Sequence, residues 1–482
     1  MSAHERLASW IRPAAYLGRN PLTMLGAAIT TSSAFTLIGF WLFDIATGGT
    51  IHPYVGLIFF LILPGIFVIG LLLMPAGALW RRLRLIRSGT LPAQFPKVDF
   101  SLKDVQRVFV WFGSLTLVNV FIFSIASYRG VEYMDSARFC GQTCHTVMQP
   151  EYTAYQNSPH QRVACVQCHI GPGASWFVRS KMSGLRQVYG VAFHSYDRPI
   201  PSPVTNLRPS RETCEQCHWP QLFTGNKLVV FRKFADDEKN TETTTVLLLK
   251  IGGHTFSGEL GIHGRHLDTK SPIEYVSTDR QRQVIAQVSY TDPSGQRLVF
   301  TSTDTKPTEQ QLAADEHRIM DCIDCHNRPT HTFQLPERAV DDAMAQGRIS
   351  PEIPFIKKEA VEVLKTSYPD RDAASRDIAA ALNAYYQKSY PDVFRDKHDL
   401  LESSISQVQA VYLRNIFPAM NVTWGTYPNN LGHMDFPGCF RCHDGSHSTP
   451  DGKTIPNDCD TCHTVLAMDD PNPKILADLG IK

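Results

Sequence analysis

Three stretches near the start of the chain contain no charged residue: Pro21–Phe43 and Pro53–Pro75, each 23 positions long, and Val108–Ser127, 20 positions long. About 20 apolar residues in a helix cross the hydrocarbon of a bilayer, so each stretch predicts a transmembrane span. One such run can be a buried core helix; three in succession predict a membrane anchor. The pattern then changes. Residues 129–218 show little regular periodicity and gather prolines at Pro199, Pro201 and Pro203. Lys227–Phe231, Thr244–Ile251, Ile273–Val276, Gln283–Thr291 and Arg297–Thr303 are rich in β-branched residues and partly alternating, which predicts strands. The turn Asp292-Pro293-Ser294-Gly295 joins the last two as a hairpin. Ala339–Ala345, Lys357–Lys365, Ala373–Lys388 and Asp399–Phe417 read as helices. In the last of these Leu401, Ile405, Val408 and Val411 share one face, a stripe expected to pack into a core. Residues 421–463 return to loop.

Basic residues orient the spans. Arg6, Arg12 and Arg19 precede the first run, the loop 44–52 has no Lys or Arg, and the next loop carries Arg81, Arg82, Arg84, Arg87, Lys97, Lys103 and Arg107. The bias of Lys and Arg toward the cytoplasm puts the N-terminus and the second loop there, and everything after about Tyr128 on the periplasmic side of a bacterial inner membrane. The first run lies some twenty residues in and lacks a small-residue cleavage site, so a retained anchor is expected. No histidine lies within the three runs. A haem inside the bilayer needs such ligands, so the spans are expected to anchor rather than conduct. A formal net charge of +1 argues against nucleic acid as a partner.

The cysteines change the picture most. All twelve fall in six pairs, each followed at once by histidine: Cys140–Cys144–His145, Cys165–Cys168–His169, Cys214–Cys217–His218, Cys322–Cys325–His326, Cys439–Cys442–His443 and Cys459–Cys462–His463. Zinc knuckles and disulfide scaffolds do not require that histidine. Covalent c-type haem attachment does: two thioethers fix the porphyrin and the adjacent imidazole turns onto the iron. Five motifs are C-x-x-C-H; the first has one extra residue between its cysteines. The expectation is six covalently bound haems c, numbered here in chain order. A six-coordinate haem needs a second axial ligand. Ten histidines beyond the spans stand outside the motifs, of which His160, His194, His263, His266, His331, His433 and His447 lie in neighbourhoods that favour ligation. His254 and His398 are the least favoured.

Residues 105–218 together with 320–335 resemble the NapC/NirT/NrfH family of membrane-anchored multihaem quinol dehydrogenases. An uncharged span ends 13 residues before the first motif, Met148 follows that motif, Asn157-Ser-Pro-His160 precedes Cys165, and Cys322-Ile-Asp-Cys-His326 runs into His331 and Leu335-Pro336. The resemblance implies that haem 1 lies at the membrane surface beside the quinol, with either His145 or Met148 as its ligand. It also implies His160 as distal ligand of haem 3 and His331 as distal ligand of haem 2. Lys181, twelve residues after His169, stands where the family's quinol-site lysine stands. Gly184–Gly190, where an assisting acidic residue is expected, offers Gln187 instead. Three spans and extra haems resemble the larger inner-membrane cytochromes of metal-respiring bacteria.

The expected architecture is a membrane-anchored multihaem cytochrome c. Three transmembrane helices (1–128) carry a mainly helical and irregular, haem-packed periplasmic domain. That domain comprises a three-haem region (129–218), a small antiparallel β insertion (219–321), the haem 4 segment (322–335) and a helical region ending in two haems (336–482). The expected function is quinol or menaquinol oxidation at the periplasmic surface. Electrons would pass along six haems from the membrane quinone pool to a periplasmic acceptor, a cytochrome or a reductase. The rival reading is a non-catalytic relay in a larger membrane complex, since three spans exceed what an anchor needs and leave room for partner subunits. A third, a substrate-reducing haem, requires a five-coordinate iron.

Overall fold

The computed structural model describes residues 12–13, 16–47, 58–95, 102–143, 145–171, 173–204, 207–219, 224–253 and 260–481. They form two compact units, Met1–Cys144 and His145–Lys482.

The first unit holds three long helices, α1 (Pro21–Thr47), α2 (Leu63–Arg87) and α3 (Lys103–Met134). Each contains a segment long and apolar enough to cross a membrane: Pro21–Leu42, Leu63–Arg87 and Gly113–Met134. The second span differs from the sequence expectation. Its helix continues through Pro75 to Arg87, beyond a π-helical turn at Ile58–Ile62, while residues 53–57 lie outside the described set. Asn20 caps α1 by accepting from the Thr23 amide at 2.9 Å. Glycine lets α1 and α2 approach closely: a Cβ on Gly70 would stand 2.5 Å from the Thr30 hydroxyl oxygen. The Thr23 hydroxyl donates across the interface to the Met74 carbonyl at 3.0 Å. Leu37, Phe67 and Ile122 are buried where the three helices meet.

The second unit opens with α4 (His145–Gln156), the short α5 (Cys165–His169), α6 (Ala174–Ala192) and the short α7 (Ser210–Cys214). Strands β1 (Lys227–Phe234) and β2 (Glu242–Leu249) follow, then the one-turn α8 (Ile262–His266). Next come β3 (Glu274–Ser277), β4 (Ile285–Thr291), β5 (Arg297–Ser302) and β6 (Glu316–Ile319). The Asp292 carboxylate builds the β4–β5 turn by accepting from the amides of Ser294 and Gln296, with Gly295 at a φ of 87°. Helix α9 (Cys322–Cys325) leads to a bundle of α10 (Pro336–Ala345), α11 (Ile356–Lys365), α12 (Arg371–Ser389) and α13 (His398–Asn415). Leu401, Ile405, Val408 and Val411 all lie in its core, as their spacing predicts.

Two antiparallel sheets brace the motifs, and both draw on strands that the sequence reading did not include. The orders are β1-β2-β8 and β6-β3-β4-β5-β7, with β7 (His447–Ser448) and β8 (His463–Asp470) coming from the C-terminal region. At two residues β7 is too short to declare itself, and pairing with β5 and β2 fixes both segments. The pairing Leu249↔His463 carries the sixth motif's histidine at one end of the first sheet. Strand β6 ends at Ile319, directly before the fourth motif. The β1–β2 hairpin is tied to the bundle at Asn240, whose amide donates to the Pro351 and Ile353 carbonyls. Beneath it Lys357 donates to Asp341 at 2.6 Å, both side chains nearly buried.

Candidate functional site

Three of the cysteine pairs stand on single helical turns. Cys165 and Cys168 are on α5, Cys322 and Cys325 on α9, and Cys459 and Cys462 on α14 (Cys459–Cys462). The pair Cys439 and Cys442 closes a 3-10 turn in which the Cys442 amide donates to the Cys439 carbonyl. Three-residue spacing on a turn brings both thiols to one side, the geometry that two thioether bonds to one porphyrin require. The α9 turn is held most firmly. Asp321 and Asp324 form a reciprocal capping box, and buried Asp324 also accepts from Tyr275 at 2.7 Å and Arg318 at 3.3 Å. Burial pushes the free thiol of Cys325 up to about 11 and that of Cys442 up to about 12, which does not suit a redox-active thiol. No cluster of three or more metal-binding side chains occurs among the described residues.

Opposite five motif histidines stands a second histidine. Ring centroids are 6.2 Å apart for His169 and His331, 5.9 Å for His160 and His218, and 6.3 Å for His263 and His326. They are 5.8 Å apart for His266 and His443 and 6.2 Å for His433 and His463. Two imidazoles bonded to opposite faces of one metal through nitrogens at about 2.0–2.1 Å have centroids roughly 6 Å apart. The five pairs therefore fit an iron between their rings. The surroundings fit a porphyrin too: between residues 157 and 219 the buried described residues are Ser158 and Ser210, so this stretch has no side-chain core of its own.

Several imidazoles are oriented by protein oxygens. His331 Nδ1 lies 3.0 Å from the Glu151 carbonyl and 3.2 Å from the Glu151 carboxylate. That carboxylate accepts from one Arg328 nitrogen at 3.1 Å through both oxygens. Arg328 is buried and stacks 4.2 Å above the Tyr427 ring. His266 Nδ1 lies 2.8 Å from the Ile262 carbonyl, and His443 Nδ1 faces the Pro456 carbonyl. Occupying Nδ1 leaves Nε2 as the outward donor, as metal-bound histidines generally require. Burial lowers the pKa of His169, His266 and His331, which favours the neutral, ligating imidazole.

His263 and His266 share α8 yet face different motif histidines. The helix packs tightly on the strand end that precedes it: the Ile262 amide donates to the Lys250 carbonyl, and a Cβ on Gly264 would stand 2.1 Å from the Gly253 carbonyl oxygen. Lys250 in turn donates to the Cys462 and Asp460 carbonyls, linking the same segment to the sixth motif.

The second to sixth motifs succeed one another in space as in sequence. Cys168 is within electrostatic reach of Cys214 and Cys217. The side chains of Cys214 and Cys322 are close neighbours. Cys325 and Cys442 are mutual neighbours, and Cys439 reaches Cys462.

The remaining predicted residues stand as follows. Cys140 is half-buried in a π-helical turn, Phe139–Thr143. Cys144 and the side chain of His145 lie outside the described residues, as does His254. Met148 is half-buried on α4 and Lys181 half-buried on α6. Exposed Gln187 donates to Ser183, one turn back on α6. His194 is exposed, pairs with Tyr196 and faces none of the motif histidines whose side chains are described. His447 is a correction to the sequence expectation. It is 1% exposed, with Nδ1 3.0 Å from Asp444 and Nε2 3.0 Å from the Ile285 carbonyl, so both nitrogens serve the fold. Glu151 and Arg328 escaped sequence reasoning, because nothing local marks a carboxylate that meets its histidine only in the fold.

The family described as NapC/NirT cytochrome c family, N-terminal region, matches residues 103–200. The cytochrome c-type protein ImcH of Geobacter sulfurreducens is 42% identical over 457 residues, 94% of this chain and 89% of ImcH. The cytochrome c-type protein NrfH of Wolinella succinogenes is 25% identical over 104 residues, 21% of this chain and 58% of NrfH. No solved structure matches.

Proposed function

The chain belongs to the c-type cytochrome family of ImcH, membrane-anchored and with a NapC/NirT region toward its N-terminus, and from that premise we propose a quinol-oxidising, six-haem electron relay. The observation that carries the proposal is the file of five histidine pairs, each spaced for one iron, running from the second motif to the sixth. In this reading Cys140 and Cys144 attach a sixth haem, with His145 or Met148 as its ligand. Haem c supplies one-electron transfer, so a file of haems moves electrons singly over a distance that no single centre spans. The residues that would hold the irons are His169 with His331, His218 with His160, His326 with His263, His443 with His266, and His463 with His433, which their ring spacings support.

Quinol oxidation releases two electrons and two protons. Lys181 would donate a hydrogen bond to a quinol oxygen and favour loss of its proton. The basic end of α2 (Arg81, Arg82, Arg84 and Arg87) supports a cytoplasmic placement there, with the haem-bearing unit in the periplasm. His433 and Cys459 are exposed, which supports haem 6 as the point where electrons leave for a periplasmic cytochrome or reductase.

The test is reduction of the purified protein by a menaquinol analogue. The wild-type chain is expected to be reduced, and Lys181→Leu is expected to lose quinol-driven reduction while dithionite still reduces every haem. Haem bands of the wild type that stay oxidised with quinol would instead favour a relay fed by a partner subunit.

A further inference from the structure

Helix α6 is amphipathic the wrong way round for its own fold. Val178, Met182, Leu185 and Tyr189 follow at spacings that place them on one face. That face points outward: the four are 59–66% exposed. Val188 and Phe193 extend the exposed apolar area, and Tyr189 and Phe193 pack ring to ring at 4.5 Å. The opposite side of the helix is half-buried at Trp176, Ser180, Gly184 and Val191, and Val191 packs against the cluster of Phe333, Phe417 and Tyr427. A helix that packs its body through serine and glycine and shows solvent its valine, methionine, leucine and tyrosine has an unmet apolar face.

Charge selects what meets it. Residues 174–192 contain no Asp or Glu and three basic residues, Arg179, Lys181 and Arg186. Arg179 and Arg186 flank the stripe on one side and Lys181 on the other at helical spacing, and Arg179 lies 5.1 Å above the Trp176 ring. Apolar stripe, basic flanks, aromatic residues and no acidic ones are the features of a helix lying in the plane of an anionic bilayer surface. The chain is already membrane-anchored, so such a helix meets lipid at high effective concentration.

We propose that α6 is an interfacial membrane helix, with Val178, Met182, Leu185 and Tyr189 sunk at the headgroup boundary of an anionic leaflet. This adds a second membrane contact, independent of the spans, and sets Lys181 at the depth of the headgroups whether or not it handles quinol.

The test uses full-length, haem-loaded protein in nanodiscs of phosphatidylglycerol and phosphatidylethanolamine. The attachment cysteines are consumed as thioethers, so a cysteine introduced by Leu185→Cys or Gln187→Cys takes an environment-sensitive fluorophore; the unaltered chain controls for background. The Leu185→Cys probe is expected to be quenched by nitroxide placed high on the acyl chain and shielded from aqueous iodide. The Gln187→Cys probe, on the opposite face, is expected to behave the other way. Met182→Cys repeats the measurement on the apolar face if Leu185→Cys fails to load its haems. Iodide quenching at both faces would overturn the proposal, as would an apolar-face probe shielded from iodide and lipid nitroxide alike, which would place protein or haem over the stripe. None of these readouts depends on quinol turnover.

Discussion

His331 is held by Glu151: its Nδ1 lies 3.0 Å from the Glu151 carbonyl and 3.2 Å from the Glu151 carboxylate, while its ring faces His169 at 6.2 Å. A carboxylate on the far nitrogen of a ligating imidazole makes the ligand more basic and favours the oxidised iron. Glu151→Gln keeps the size and removes the charge. It is expected to raise the midpoint potential of one haem, on the order of one tenfold change in its one-electron equilibrium, about 59 mV. Removing the opposing charge with Arg328→Gln should shift the same haem downward. A spectroelectrochemical titration reads both, and shifts of the same sign in the two variants would reject the account.

Because α8 supplies two histidines, one backbone change should disturb two irons. A methyl group on Gly264 would meet the Gly253 carbonyl oxygen at 2.1 Å, so Gly264→Ala must displace the turn. Haem content by pyridine haemochrome is expected to stay at the wild-type level, while the low-spin signals of two haems are altered in the EPR spectrum. His263→Met should alter one and His266→Met a different one.

His447 should behave as a structural residue. His447→Met is expected to leave every haem spectrum unchanged. It should nonetheless destabilise the protein by about 1–3 kcal/mol, since it strands the carbonyl of buried Ile285 and removes a partner of Asp444. Chemical denaturation with absorbance spectra of the folded state separates the two effects.

The bundle rests on a buried ion pair. Lys357→Met leaves Asp341 buried without its cation, and a loss of about 3–5 kcal/mol is expected. The double change Lys357→Met with Asp341→Asn should recover much of it. Equal losses in the single and double variants would remove the pair from the account.

Arg282 grips Glu316 through two nitrogens, at 2.8 and 3.1 Å, and this hydrogen-bonded pairing holds the Glu316 carboxyl below its ordinary value. A depressed carboxylate stabilises the fold above its unfolded pKa, about 4.3. That contribution is lost as pH falls through the folded value. Glu316→Gln is therefore expected to lower the melting temperature slightly at pH 7 and to match the wild type at the acid end. The pair is part-exposed, so the neutral-pH difference should stay below about 1 kcal/mol.

Much of this was legible in the sequence. Charge-free runs marked the spans because bilayer thickness imposes length and apolarity. The Cys-His motifs marked covalent haem because attachment is local chemistry. The Asp292–Gly295 turn and the stripe from Leu401 to Val411 declared themselves because turn chemistry and helical periodicity are local too. Proximity along the chain misled where it stood in for proximity in space. His447 sits four residues after His443 and serves the fold, whereas His331, five after His326, faces His169, as the family resemblance implied.

The sequence by itself determined the anchor, the attachment sites and the chemistry they can hold, since each is written in contiguous residues. Tertiary structure alone decided which motif histidines His263, His266 and His433 face, that Glu151 steadies His331, that β7 and β8 close sheets begun far upstream, and that the apolar face of α6 turns outward. The reason is physical: an axial ligand must reach its metal from the face opposite the attachment motif, and a distant segment does so only once sheets and helices have brought it there.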